Sequence, residues 1–170
     1  MACLFGHKWN GCKCEKCGKA RDEGHNWNGC MCVTCGMVRN EGHQPDNGRC
    51  TLCGGKMLRA DVFTSEEMSL IGELMLTIQG GGQQVGEKEK AHASELVKLS
   101  LQASITGDGW LSQEDINFIS RMIMMYASAL GGAGKHAESA KYNTLIKKLV
   151  EMDENATPQM KMMANLMTSL

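Results

Sequence analysis

Large apolar side chains are scarce in the first 56 residues of this 170-residue chain, which offer only Phe5, Trp9, Trp27 and a scatter of Leu, Met and Val. A segment so poor in apolar surface does not fold unaided and needs staples. The amino terminus, MACLFGHKW, lacks the apolar core of a signal peptide, and no window approaches the roughly 18 apolar residues of a membrane span. A cytoplasmic protein without a membrane segment is expected, in a compartment where thiols stay reduced. A Ser/His/Asp set, a phosphate-binding loop and an open metal site are also missing, so no enzyme is expected.

Cysteine is absent after residue 53, and long apolar-periodic stretches are absent before residue 60. Residues 1–56 carry eight Lys/Arg against five Asp/Glu, and residues 57–170 carry ten against fourteen. Two domains are therefore expected, 1–56 and 57–170, opposite in sign and different in design.

What the first segment has is a repeat. His, six residues, Cys, two residues, Cys recurs at a period of 18: His7/Cys14/Cys17, His25/Cys32/Cys35 and His43/Cys50/Cys53. The other three cysteines, Cys3, Cys12 and Cys30, bring each frame to four ligands, so nine cysteines and three histidines make three Cys3His sets. Nine is odd and would strand one cysteine in any disulfide scheme, so metal is expected instead.

Aligned, the repeats read HKWNGCKCEKCGKARDEG, HNWNGCMCVTCGMVRNEG and HQPDNGRCTLCGG. Grouping each repeat with the next histidine gives Cys12/Cys14/Cys17/His25 and Cys30/Cys32/Cys35/His43, and leaves Cys3, His7, Cys50 and Cys53 to meet across the whole module. A staggered grouping is Cys3/His7/Cys14/Cys17, Cys12/His25/Cys32/Cys35 and Cys30/His43/Cys50/Cys53. Here each repeat lends its first cysteine to the next site. The last repeat has no successor and carries Gly48 at that place; the first has no predecessor and takes Cys3 from just upstream. One rule explains both ends, so the stagger is the expected grouping. Interlocked sites would make the module one stiff element.

Thiolate and imidazole donors at this spacing select Zn(II), four-coordinate and closed, hence structural, with three zinc ions per chain. Gly18, Gly36 and Gly54 follow the second knuckle cysteine and are expected at positive φ, letting amides face the sulfurs. Each zinc with three thiolates carries a formal −1, which brings the basic module to near neutrality.

The phrase GHxWxGCxCxxCGxxRxEGH resembles the tandem short zinc-ribbon-like repeats of uncharacterised bacterial and prophage-type proteins, over residues 3–54. The resemblance implies zinc and an accessory module attached to varied partners. The third repeat departs from it, with Pro45 where Trp9 and Trp27 stand, as suits a capping unit.

Trp9 and Trp27 offer stacking for nucleobases beside Lys8, Lys13, Lys16 and Lys19, or else pack over the metal sites. Packing is the expectation, because a near-neutral module binds duplex phosphates poorly. Arg21 and Arg39 sit beside acids and are expected to pair locally across repeats. Cys-x-x-Cys also marks thiol oxidoreductases, but those carry one pair at a helix start in a βαβ setting.

Residues 64–170 read as an all-α bundle of about five helices. The first has Thr64 or Ser65 as N-cap and a stripe of Met68, Ile71, Leu74, Met75 and Ile78. GGGQQVGEKEK forms a flexible link. A second helix, about 87–105, carries Leu96, Leu99 and Ala103. Ser112 with Asp115 opens a third, with Ile116, Ile119, Ile123, Ala127 and Leu130. A fourth, about 134–152, carries Tyr142, Leu145, Leu149 and Met152. The fifth starts at Thr157-Pro158 and runs Met163, Leu166, Met167 and Leu170.

SITGDGWLSQED is too poor in charge for a calcium loop, so a plain helix-turn-helix connection is expected. His92 and His136, without companion ligands, are expected to face solvent. Fourteen methionines, including Met122, Met124, Met125, Met160, Met162, Met163 and Met167, exceed what one core face absorbs. They suggest a surface for a protein partner or for self-association. The functional expectation is a non-enzymatic zinc-binding adaptor or regulator acting through protein contacts; the alternatives are a nucleic-acid-binding zinc protein and a thiol redox protein.

Overall fold

Each repeat folds into a short antiparallel hairpin whose strands are too brief to form without an anchor. The computed structural model describes residues 3, 6–81 and 85–168. The chain divides into two compact units, Met1–Lys56 and Met57–Leu170.

In the first unit β1 (Trp9–Asn10) pairs with β2 (Lys13–Cys14), β3 (Trp27–Asn28) with β4 (Met31–Cys32), and β5 (Pro45–Asp46) with β6 (Arg49–Cys50). A third row joins each hairpin through the bridges Lys13↔Ala20, Met31↔Val38 and Arg49↔Lys56. Among the described residues the fully buried side chains of this unit are Cys12, Cys14, Cys30, Cys32 and Cys50. The apolar core of the chain begins only at Ala60. The unit thus has the dimensions of a fold and none of the usual apolar driving force.

Repeats 1 and 2 each fold their last glycine back onto their own hairpin turn. A Cβ built on Gly29 would lie 2.5 Å from the Gly42 carbonyl oxygen, and one on Gly11 would lie 2.8 Å from that of Gly24. Backbone meets backbone here, and a side chain on either glycine would hold the end of the repeat off its own hairpin turn.

The second unit is built on helices: α1 (Ser65–Gln79), α2 (Glu87–Thr106), α3 (Gln113–Gly132), α4 (His136–Ala140), α5 (Asn143–Met152) and α6 (Pro158–Thr168). α1 opens with a capping box in which Thr64 Oγ1 accepts from Glu67 N and Glu67 Oε2 accepts from Thr64 N. Its whole expected stripe, Met68, Ile71, Leu74, Met75 and Ile78, is buried. α3 opens with the Ser112–Asp115 box and buries Ile116, Ile119, Ile123, Ala127 and Leu130. In α2, Leu96 and Ala103 are buried and Leu99 packs half-buried against the core. No helix is long and apolar enough, among the described residues, to cross a membrane.

The departures from expectation are local. The unit is not all-α: β7 (Met57–Arg59) pairs antiparallel with β8 (Trp110–Ser112), and Ala60 N donates to Gly109 O at 3.0 Å. SITGDGWLSQED is therefore a turn and strand before α3. The fourth helix is two pieces, because the chain tightens to an i→i+3 bond, Tyr142 N to Ser139 O, and buries Tyr142 edge-on against Tyr126. Met152 is only half-buried at its end.

α6 is rotated from the predicted face. Ala164 is buried with Met160 and Met167 packed against the core, while Met163 and Leu166 are exposed. Leu170 lies outside the described residues. His136 is exposed, but His92 is not solvent-facing: its Nε2 lies 2.7 Å from Asp115 Oδ1 and its ring stacks on Phe118. The expected flexible link falls partly on residues 82–84, outside those described; beyond it Val85 packs against the core and α2 begins at Glu87.

Candidate metal centres

The hairpins set the ligands. In each repeat the residue pair before the knuckle turn carries one buried cysteine, and the chain then doubles back: Gly18 N donates to Cys14 O, Gly36 N to Cys32 O and Gly54 N to Cys50 O, all at 2.8 Å. The three knuckle glycines have φ of 73°, 76° and 72°, a conformation that L side chains resist. This turn brings the second cysteine and the incoming histidine to the same point.

The twelve Cys and His residues gather into three clusters: Cys3, His7, Cys14, Cys17; Cys12, His25, Cys32, Cys35; and Cys30, His43, Cys50, Cys53. The grouping is the staggered one. Within each cluster the donor atoms lie within 4.8 Å of one another. The cysteine lent forward meets the next hairpin at Cys12 Sγ···Cys32 Sγ, 3.6 Å, and Cys30 Sγ···Cys50 Sγ, 3.5 Å; Cys3 Sγ···Cys14 Sγ is 3.8 Å. Each histidine presents Nδ1 to the second knuckle cysteine, at 3.4 Å from Cys17 Sγ and 3.5 Å from Cys35 and Cys53 Sγ.

These separations test the fit to zinc. Tetrahedral donors on bonds of about 2.3 Å to sulfur and about 2.0 Å to nitrogen stand about 3.8 Å apart for two sulfurs and about 3.5 Å for sulfur and nitrogen. The closest sulfur–sulfur contacts, 3.5 to 3.8 Å, and the nitrogen–sulfur contacts, 3.4 to 3.5 Å, lie at or just under these values. Three soft thiolates and one imidazole are also the donor set that Zn(II) takes in closed sites, and all four corners are filled by protein.

The thiols divide unequally. The neighbouring thiol Cys17, burial and Cys14 push Cys3 up to about 11. Burial, with the neighbouring thiols Cys35 and Cys32, pushes Cys12 up to about 12, and burial with Cys50 and Cys53 does the same to Cys30. Burial acts upward on Cys14, Cys32 and Cys50 too, but donors outweigh it. The Cys17 amide, His7 and the Lys16 amide bring Cys14 down to about 6; the Cys35 amide, His25 and the Thr34 amide bring Cys32 to about 5; the Cys53 and Gln44 amides and His43 bring Cys50 to about 5. Each cluster therefore pairs a cysteine held low with one held high, and a bound cation would favour the thiolate form of both.

The aromatic residues serve the sites. Trp9 lies with its ring centroid 4.9 Å from that of His7, and Trp27 4.8 Å from that of His25. Arg21 and Arg39 stack over these indoles at 4.8 and 4.7 Å, and each donates Nε to a turn carbonyl, Gly11 O or Gly29 O, at 3.2 Å. Their pairing is within a repeat, not across repeats, because the guanidinium reaches its own hairpin turn first. With Nδ1 aimed at the cluster, the neutral ligand carries its proton on Nε2; for His25 that nitrogen is buried with no hydrogen-bond partner.

In the last repeat Asn47 and Gly48 both take positive φ, 47° and 76°, as a type I′ hairpin turn requires. The earlier repeats have positive φ at Gly11 and Gly29 but not at the cysteine that follows. A lent ligand and a type I′ turn thus exclude one another at this place. The glycine contacts within each repeat and the Arg–Trp stacks were not read from the sequence, although their recurrence at the repeat period was the available signal. Comparison of the chain with protein-family models, curated proteins and solved structures gives no match.

Proposed function

We propose that residues 3–54 bind three structural Zn(II) ions and that the protein is a non-enzymatic adaptor or regulator working through protein–protein contacts. The observation that carries this reading is the convergence of four protein donors in each of the three Cys3His clusters, within 4.8 Å of one another, which leaves no corner for substrate. Zinc there supplies cross-linking in place of an apolar core. Relation to the tandem zinc-ribbon-like repeats is part of the same proposal.

Two observations weigh against the alternatives. The indoles of Trp9 and Trp27 already pack against an arginine and a ligand histidine, which counts against nucleobase stacking. The low-pKa thiols of Cys14, Cys32 and Cys50 are each 1 % exposed, which counts against redox turnover. Elemental analysis of the purified chain should give three zinc per molecule, and a value near one or zero would refute the metal reading. Affinity capture from the native host with the loaded chain, followed by mass spectrometry, tests the adaptor reading. Salt-dependent retention of oligonucleotides, without captured protein, would overturn it in favour of nucleic acid.

A further inference from the structure

The three hairpins share one strand register and one outer bridge, so their solvent-facing positions can be compared directly. Where repeat 1 has Lys13, Glu15, Lys19 and Ala20, and repeat 3 has Arg49, Thr51, Gly55 and Lys56, repeat 2 has Met31, Val33, Met37 and Val38. Val33 is 57 % exposed, Met37 39 % and Val38 51 %. The hairpin is built elsewhere with charged and small residues at these places, so folding does not require the apolar set.

The apolar set sits on a free strand edge. Cys32 N donates to Met37 O and Arg39 N donates to Cys30 O, both at 2.8 Å, on either side of the Met31↔Val38 bridge. In an antiparallel ladder the residue between two such bonds turns its own N–H and C=O the other way. Val38 therefore offers a donor and an acceptor away from β4, and no described residue bonds to them. Met31 and Val38, directly opposite, share one face. Exposed edges are normally blunted by charge, and Lys13 and Lys19 do this in repeat 1. Repeat 2 alone leaves its edge apolar.

The edge is short. Gly36 turns the chain at one end, and at the other Arg39 is held by Gly29 O, Trp27 and Glu41. About half of three medium side chains amounts to on the order of 250 Å², against the ~800 Å² per partner that a stable dimer buries. A second folded copy gains too little here, whereas an extended strand gains main-chain hydrogen bonds as well as apolar contact. We infer that the outer edge of repeat 2, Met37–Val38 with Met31 and Val33, is a docking site for an extended, uncharged peptide strand with apolar residues at alternate positions, supplied by a partner protein. The inference rests on the adaptor reading and gives it a contact surface.

The test pans the zinc-loaded full chain against a displayed random heptapeptide library and measures the affinity of an enriched synthetic peptide by fluorescence. The comparison protein is M31K/V33E/M37K/V38A, which installs the surface of repeat 1 and should keep three zinc; the single variant V38K serves if the fourfold change loses metal. The expected result is enrichment of peptides with alternating apolar residues, binding at least tenfold weaker to either variant, and slowed hydrogen exchange of the Val38 amide in the wild-type complex. No enrichment, or equal binding by the variants, overturns the inference. Dimerisation of the wild type but not of the variant in sedimentation overturns the peptide occupant in favour of a second copy. Host proteins retained equally by wild type and variant would remove this edge from the adaptor reading while leaving that reading in place.

Discussion

Replacing Cys12 by serine separates the two groupings of ligands, because this residue is two positions from Cys14 in sequence and 3.6 Å from Cys32 in space. Its sulfur is fully buried in the cluster with His25, Cys32 and Cys35. Structural zinc sites bind with roughly 10–16 kcal/mol, so one donor of four contributes about 2.5–4 kcal/mol. Serine, a poor zinc ligand at neutral pH, should therefore weaken one site by about 10²- to 10³-fold. The assay is cadmium-113 NMR of the substituted protein, with one resonance per site, combined with amide shifts. C12S should lose or broaden a single resonance and move the amides of Thr34, Cys35 and Gly36, leaving those of Lys16, Cys17 and Gly18 in place. Disturbance confined to the Cys14/Cys17 knuckle would refute the staggered assignment.

Acid should weaken metal binding in two stages. Cys12 and Cys30, held up near 12, and Cys3, near 11, are thiols at neutral pH, so each metal expels at least one proton on binding. Affinity should fall about tenfold or more per pH unit lowered, and more steeply once Cys14 at about 6 and Cys32 and Cys50 at about 5 also take up protons. Chelator competition at a series of pH values measures this, and a flat profile contradicts it. Stripping the metal with a strong chelator should unfold residues 6–56 and leave the helical ellipticity unchanged, because among the described residues no α-helix precedes Ser65 and the apolar core cluster begins at Ala60. Loss of helix on chelation would show that the second unit depends on the first.

The metal clusters were legible because ligand spacing is carried by a rigid local turn, and because Cys3 and Gly48 mark the two ends of the array. α1 and α3 were legible for a similar reason: their apolar positions are few enough to define one stripe, and their Thr64–Glu67 and Ser112–Asp115 caps are local. α6 was not, since apolar residues at 160, 162, 163, 164, 166 and 167 fit several faces, and the small Ala164 marks the side that approaches the core. β7 and β8 are three residues each, too short for alternation to register, and their pairing spans more than 50 positions. The partners of His92 that fix its ring, Asp115 and Phe118, lie more than 20 positions away in sequence. Asp115, which fixes it, had already been assigned to the cap of α3, and it does both with separate oxygens.

The lending of one cysteine to the following site also makes array length a free variable. An inner repeat contributes His25, Cys30, Cys32 and Cys35, four donors in all, and needs four. Deleting residues 25–42 would carry Cys12 to His43, and inserting another such unit would add one complete site, with no donor orphaned in either case. Only the ends are specialised, by Cys3 at the start and the Asn47-Gly48 turn at the finish. A chain built this way can change its number of four-donor clusters in whole 18-residue steps, while any fractional step leaves a cluster one or more donors short.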